Sequence, residues 1–113
     1  VQLGGVGPTA RGWTGAGGVG AISVASNVAP ALGAPCQDAT LRGDWDKARE
    51  INDKLLPLHY ALFTSSRPGP TKYAMSVLGV LHTELRLPLT EPNEASNAAV
   101  REALVIAGLL DQA

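Results

Sequence analysis

The sequence predicts an α/β fold in which a buried parallel strand is followed by helices. The first observation is the uncharged segment 21–25, which is rich in small and β-branched residues and follows a glycine cluster at 15–20. An apolar strand without polar alternation is typical of a sheet that is covered on both faces. The second observation is the helical spacing of apolar residues over 45–63. The two patterns together predict strands first and helices afterwards.

The chain opens with a predicted strand at Val1–Leu3, which ends in a glycine-rich turn at residues 4–8. A short helix is expected from Pro8 to Ala16, because proline is favoured at the first helical position. Gly12 and Gly15 weaken this helix, since each costs up to about 1 kcal/mol relative to alanine.

A second strand is expected over residues 20–26, and a helix follows over 31–41. Pro35 lies inside that helix and is expected to break it or delay its start, because proline removes a backbone donor and clashes with the preceding turn. Residues 1–42 therefore read as two strand-and-helix units.

The helix over 45–63 is the best defined in the sequence, with Gly43 ending the helix before it and Asp44 as its N-cap. Glu50 and Lys54 form a favourable pair four residues apart on its polar side. Pro57 is expected to kink it without ending it. Its apolar stripe consists of Ala48, Ile51, Leu55, Leu58 and Leu62.

Two further helices are expected, over 70–81 and over 91–107, with an extended connector at 85–88 before Pro88. Thr90 is the predicted N-cap of the last helix, and Gly108 ends it. Residues 43–113 thus form a predicted three-helix region.

Composition excludes several classes of partner. The formal net charge is −1 and 17% of the residues are charged, so neither nucleic acid nor a membrane surface is an expected partner. The single cysteine, Cys36, excludes an intrachain disulfide, suits a reducing cytoplasm and is expected to pack in the core. No metal site and no cofactor are predicted.

The glycine cluster at 15–20 satisfies the pattern G-x-G-x-x-G, which is typical of dinucleotide-binding turns. Such a turn follows a strand and opens a helix, whereas this cluster precedes the predicted strand. A tight turn between helix and strand is therefore the better interpretation.

Several segments resemble the C-terminal part of the dihydrodipicolinate synthase family in the family's own order. They are Gly-Gly-Val-Gly-Ala-Ile-Ser-Val-Ala-Ser-Asn-Val-Ala-Pro at 17–30, the helix segment 49–63, Pro-Gly-Pro-Thr-Lys-Tyr-Ala at 68–74, Leu-Arg-Leu-Pro-Leu-Thr at 85–90 and the stretch 99–110. The resemblance covers nearly the whole chain but only the last part of such an enzyme.

The resemblance implies the C-terminal portion of a (β/α)8 TIM barrel, with the last two strands in residues 1–42 and a helical appendage in residues 43–113. Such a barrel needs about 250 residues, and this chain has 113. The sequence also begins at Val1, without methionine and inside an apolar run. A truncated reading frame or a shortened piece of a longer protein is therefore expected.

Two substrate-binding residues are implied by the resemblance. Ile22 matches the family isoleucine whose backbone carbonyl faces bound pyruvate, and Gly5 matches the glycine of a turn whose carbonyl lines the pocket. Val6 and Gly7 stand where that turn usually has acidic residues, so a glycine turn without function is an equal alternative for this loop. Asn27 suits helix capping better than catalysis.

No catalytic residue is assigned in this chain. Schiff-base chemistry needs a lysine held neutral at a pocket, whereas Lys47, Lys54 and Lys72 are all expected on helices. The family's imine lysine lies on an earlier strand, so the isolated chain is expected to be inactive. His59 and His82 are expected to be structural, because neither has partners at ligand or triad spacing.

By resemblance, the parent enzyme is a cytoplasmic lyase of lysine and diaminopimelate biosynthesis. It condenses pyruvate with L-aspartate 4-semialdehyde to 4-hydroxy-tetrahydrodipicolinate and assembles as a homotetramer. Two alternatives remain: a non-catalytic helical module for oligomerisation, and a fragment of a related pyruvate aldolase such as N-acetylneuraminate lyase or a keto-sugar-acid aldolase. In each case exposed strand edges predict association of the isolated chain.

Overall fold

The structure, a computed structural model, describes residues 1–112, so Ala113 at the end of the predicted three-helix region lies outside it. The described residues form five α-helices and two short 3₁₀ turns at Gly7–Thr9 and Ala25–Asn27. The helices are α1 (Ala10–Gly15), α2 (Pro30–Leu41), α3 (Trp45–Ala61), α4 (Gly69–Val77) and α5 (Glu94–Ile106). None of them has the length and apolar character that a bilayer-spanning helix requires.

Neither predicted strand forms as a regular strand in the described chain. A single parallel bridge joins Gly4 to Ala21, and two backbone hydrogen bonds accompany it, Gly4 N to Gly20 O at 2.9 Å and Ile22 N to Gly4 O at 2.8 Å. Parallel pairing is weak per residue, and two paired segments alone make a marginal sheet. The expected strand over 20–26 instead ends early, because the chain turns at Ala25–Asn27.

Helix α2 corrects the expectation that Pro35 breaks it. The helix runs without interruption over Pro30–Leu41, with Pro30 rather than Ala31 in its first turn. The N–H that Pro35 lacks would have bonded to the carbonyl of Ala31, an exposed residue near the helix start. This carbonyl is therefore at an exposed position, where solvent can replace the missing partner, while burial of Cys36 and Ala39 holds the helix in place.

Helix α3 matches its prediction closely, although it ends at Ala61 rather than Phe63. The side chain of Asp44 accepts a hydrogen bond from the amide of Lys47 at 3.2 Å, which confirms the N-cap. Gly43 has a φ of 77°, the left-handed conformation expected after α2. The helix also continues through Pro57, as predicted.

The last two helices are shorter than predicted. Helix α4 ends at Val77 rather than 81, before Gly79 at a φ of 75°. The Thr90 cap is wrong, because Asn93 caps α5 by accepting from the amide of Ser96 at 2.9 Å. Asn93 is the N-cap because it lies directly before the first helical residue and its backbone is extended, as a cap requires. Gly108, at a φ of 75°, follows the end of α5 as expected.

The core is built around α3, which packs against α2 on one side and α5 on the other. The core contains residues from both predicted parts of the chain, 1–42 and 43–113. It includes Cys36, as expected for a packing role. The division at residue 42 stays a prediction. The largest fully buried side chains are Leu58, Leu62, Leu104, Val100 and Pro70.

Candidate functional site

The structure brings the two expected substrate-binding residues onto neighbouring backbone segments. Gly5 and Ile22 each follow one partner of the parallel bridge between Gly4 and Ala21. The Ile22 amide donates to the Gly4 carbonyl at 2.8 Å, which fixes how the two segments run side by side. Within residues 1–112, neither the Gly5 carbonyl nor the Ile22 carbonyl accepts a hydrogen bond. Each of the two segments therefore carries one unpaired carbonyl just beyond the bridge.

Both residues are accessible in this chain. The Ile22 side chain is 73% exposed, and Gly5 is exposed with open space where a side chain would stand. Apolar side chains on the same two segments, Leu3, Val6 and Val19, are also exposed. These segments therefore present an open apolar surface around the two free carbonyls.

The turn after Gly5 is closed by its own hydrogen bonds. The Val6 carbonyl accepts from the Thr9 amide at 3.2 Å and from the Thr9 hydroxyl at 3.1 Å. Gly7 lies directly against the imidazole of His59, because a β-carbon added at Gly7 would be 2.9 Å from the ring Cε1. The loop therefore rests on α3 through a position where only glycine fits without a shift of the histidine.

Behind these segments lies a cavity of about 240 Å³, which the sequence did not reveal. It is enclosed by the loop at Gly7, the segment from Ala21 to Ala29, and the helices α1, α2 and α3. Its wall is mainly apolar, from Ala10, Ala21, Ala25, Ala29, Ala34 and Leu55, and its polar lining comes from Arg11, Ser23, Ser26, Gln37, Asn52 and His59. The exposed Ser26 and Ala34 are part of the lining, so the cavity opens to the surface.

His59 is the most buried polar residue of the cavity, at 6% exposure. It makes no hydrogen bond within residues 1–112, and burial lowers the pKa of its imidazole below the usual 6.5. Asn52 lies two turns earlier on the same face of α3, with Leu55 between them. Helix α3 thus presents a neutral imidazole and an amide to one side of the cavity.

Helices α1 and α2 supply the opposite wall. Thr14 donates to the side-chain oxygen of Gln37 at 2.7 Å, which leaves the Gln37 amide N–H groups for other acceptors. Burial raises the pKa of the Cys36 thiol, and the positive charge of Arg11 opposes that rise. Arg11 also lines the cavity on this side.

The lysines lie away from both the cavity and the two free carbonyls. Lys47 contacts Glu50 at 3.0 Å and Lys54 contacts it at 3.7 Å, with side chains about half exposed. Lys72 donates to the backbone carbonyl of Glu84 at 2.7 Å. All three therefore have surface partners, as the helical positions predict, and His82 is exposed.

Comparison with known proteins gives one consistent result. The sequence profile of the Dihydrodipicolinate synthetase family matches residues 3–107. The 4-hydroxy-tetrahydrodipicolinate synthase of Parvibaculum lavamentivorans is 52% identical over 110 residues, which are 97% of this chain and 38% of the relative. Dihydrodipicolinate synthase from Thermotoga maritima superposes with a TM-score of 0.91 at 38% identity, covering 96% of this chain and 37% of that chain.

A third comparison involves a ligand complex. The chloride-inhibited dihydrodipicolinate synthase of Acinetobacter baumannii, crystallised with pyruvate, superposes with a TM-score of 0.88 at 35% identity. The match covers 94% of this chain and 36% of that chain. The described helices and their packing are therefore those of one part of such an enzyme, and the chain spans little more than a third of its relatives' length. The resemblance in the sequence is confirmed: the chain belongs to the dihydrodipicolinate synthetase family.

Proposed function

We propose that this chain is the C-terminal part of a pyruvate-dependent Schiff-base lyase that condenses pyruvate with L-aspartate 4-semialdehyde. In the proposal, residues 1–42 supply the last two strand-and-helix units of a TIM barrel, and the later helices form its appendage. The product is 4-hydroxy-tetrahydrodipicolinate, in the cytoplasmic route to diaminopimelate and lysine. Family membership supports the reaction class, since the relatives are named as synthases of this compound.

One observation carries the proposal: Gly5 and Ile22 directly follow the two partners of the parallel bridge, and the carbonyl of each accepts no hydrogen bond within residues 1–112. In a barrel the carboxyl ends of the strands face the catalytic mouth. Carbonyl oxygens at that place accept hydrogen bonds and so suit a polar substrate in an otherwise apolar pocket. We assign the two carbonyls to the wall that faces pyruvate, a ligand with which one solved relative was crystallised.

The chain contributes no imine lysine in this proposal. An imine-forming lysine attacks as the neutral amine, which requires burial or neighbouring positive charge. Lys47 and Lys54 instead share a carboxylate partner on the surface, and Lys72 is held by a backbone carbonyl. The isolated chain is therefore expected to be inactive, and the lysine belongs to another part of the enzyme.

Oligomerisation is part of the proposal as well. The segments at the parallel bridge leave backbone groups and apolar side chains exposed, and such edges seek partners. We expect the complete enzyme to form a homotetramer, as is usual in the family. The isolated chain is expected to associate, and light scattering at several concentrations tests this.

The central test joins this chain to the part of the enzyme that it lacks. The region of the Parvibaculum synthase that precedes its match is fused to Val1, and the fusion is incubated with pyruvate and reduced with borohydride. Intact mass is expected to show one pyruvate adduct on the fusion and none on the 113-residue chain alone. An adduct on the isolated chain, at any of its lysines, contradicts the assignment.

The second substrate separates this proposal from its nearest alternative. The same fusion is assayed with pyruvate and L-aspartate 4-semialdehyde, and then with pyruvate and N-acetylmannosamine. Turnover of the first pair alone is expected. Turnover of the sugar alone identifies a neuraminate-type aldolase, and a fusion that folds but turns over neither pair supports a non-catalytic helical module.

The role of the Ile22 carbonyl is tested by replacing the amide between Ile22 and Ser23 in the fusion with an ester, which weakens this carbonyl as an acceptor. Within residues 1–112 the Ser23 amide donates no backbone hydrogen bond, so the change removes no internal contact. Loss of about 1 kcal/mol of hydrogen bonding corresponds to roughly a fivefold rise in KM for pyruvate. An ester between Val19 and Gly20 is the matched control, and equal KM values for the two esters contradict the role.

A further inference from the structure

The cavity behind the parallel bridge has polar groups that the proposed pyruvate site does not use. His59 is 94% buried, since its exposure is 6%, and it lines the cavity without a hydrogen-bond partner in the described chain. Buried polar groups are nearly always paired with protein, water or a ligand. Among the described residues, the His59 nitrogens are not enclosed unpartnered atoms, so they face the open space of the cavity. There they and the neighbouring amide of Asn52 can pair with water or with a polar ligand.

The opposite wall adds a positive charge. Arg11 lines the same cavity, and no carboxylate contacts it within residues 1–112. The Gln37 oxygen is already engaged by Thr14 at 2.7 Å, so this side chain offers only N–H donors. An arginine without a carboxylate partner, beside amide donors, is suited to a carboxylate.

The apolar wall and the volume of the cavity limit the chemistry and the size of the rest of the ligand. Five alanines and Leu55 make most of it apolar, which favours hydrocarbon over further polar groups. The volume of about 240 Å³ exceeds the roughly 150 Å³ that accommodates a benzene molecule in an engineered protein cavity. A molecule of about four to seven carbon atoms fits this range.

We propose that the cavity between α1, α2 and α3 binds a small monocarboxylate with an aliphatic or aromatic hydrocarbon part. Its carboxylate is held by Arg11 and by N–H donors of Asn52 and Gln37, and its hydrocarbon part lies against the alanines. The site is distinct from the pair of carbonyls at Gly5 and Ile22. Gly7 and Ser23 line it, so an occupant lies directly behind the wall assigned to pyruvate.

The test uses the 113-residue chain and isobutyrate, which has no ketone and so forms no imine. The chain has two histidines, so ¹³C labelling of the imidazoles gives two Cε1 signals in NMR spectra. Isobutyrate is expected to shift the His59 signal saturably, with the exposed His82 as an internal reference. Isobutyramide, nearly the same shape without the charge, is expected to bind at least tenfold more weakly.

Two matched pairs of variants locate the site. Gly33 lines the cavity on α2, and a side chain there meets open space, so Gly33→Leu is expected to fill the cavity and abolish the shift. Gly12→Leu, at a position on α1 that is also open but outside the cavity, is expected to leave it unchanged. Arg11→Gln is expected to weaken isobutyrate binding roughly tenfold, whereas the exposed Arg42→Gln does not.

The outcomes separate this proposal from the proposed function. Equal binding of isobutyrate and isobutyramide overturns the carboxylate assignment, and so does binding that survives Arg11→Gln. A shift that survives Gly33→Leu places the ligand elsewhere, and no shift up to 50 mM overturns the site. None of these results depends on the borohydride adduct, because isobutyrate does not react with an amine.

Discussion

The N-terminal segment 1–28 and the helical region 45–106 differ in how far contacts within this chain pair their backbone and bury their apolar side chains. The segment has one parallel bridge and a short helix, and it leaves Leu3, Val19 and Ile22 exposed. The helical region buries Leu58 and Leu104 completely. Helices satisfy their backbone hydrogen bonds internally, whereas each strand of a sheet depends on its neighbours.

This difference separates two kinds of sequence information. An amphipathic helix encodes its own conformation and the face that it buries, so its pattern is sufficient locally. An uncharged strand encodes only its burial, and its pairing is supplied by other strands. The apolar side chains around Gly5 and Ile22 are therefore exposed because, within residues 1–112, no further strand lies beside the two bridged segments.

The largest expected change in the free energy of unfolding is for a buried leucine of the helical region. Leu58→Ala leaves a cavity where α3 meets the core and is expected to lower the free energy of unfolding by about 2–5 kcal/mol. Ile22→Ala is expected to change it by less than about 0.5 kcal/mol, because this side chain is largely exposed. Urea unfolding followed by far-UV circular dichroism measures both. Similar losses at the two positions contradict the contrast between the regions.

A smaller effect is expected at the start of α5. Asn93→Ala removes the side chain that accepts from the Ser96 amide at 2.9 Å, which is expected to cost about 1 kcal/mol. Thr90→Ala is the matched control, since Thr90 is exposed and lies before the helix. The same urea titration tests the pair, and a larger loss for Thr90→Ala restores the cap that the sequence suggested.

The smallest effect at neutral pH involves His59. Because burial lowers its pKa below 6.5 in the folded chain, the unfolded state binds a proton more readily. The stabilisation is therefore complete above about pH 6.5 and is lost as the pH falls through the lower folded pKa. His59→Gln is expected to flatten the fall in stability below pH 6.5, and the exposed His82→Gln is not. Identical pH profiles for the two variants contradict this account.

The helical part of the fold was largely predictable from local signals. The stripe from Ala48 to Leu62, the Asp44 cap and the glycines that follow α2 and α5 are each defined by a few neighbouring residues. The boundary errors have the same origin. Thr90 and Asn93 are both good caps in sequence, and only the position of the first helical residue decides between them.

Two expectations failed because distant parts of the molecule decide them. Pro35 is tolerated in α2 because the carbonyl that it deprives of a partner belongs to an exposed residue, while the other face of the helix packs on α3. The strand expected over 20–26 is represented by one bridge, since a strand requires partners on its edges. Neither the exposure of that residue nor the presence of partner strands can be inferred from the neighbouring residues in the sequence.

The candidate site was predictable only in part. The family resemblance pointed to Gly5 and Ile22, which the structure places on adjacent segments, and their contact with substrate stays a prediction. The cavity was missed, although one signal was present. Asn52 and His59 interrupt the buried side of α3 two turns apart, on either side of Leu55, and polar residues so spaced on an apolar face indicate a shared polar environment.

Helix α3 has a mechanical consequence that follows from the close contacts at its two ends. Near its start, Trp45 presses on Gly15, where an added β-carbon would lie 2.6 Å from the ring, and near its end His59 presses on Gly7. At 1.5 Å per residue its 17 residues span about 26 Å. One helix of the appendage therefore contacts both α1 and the turn that follows Gly5, so these two parts of the N-terminal segment are positioned by the same rigid element.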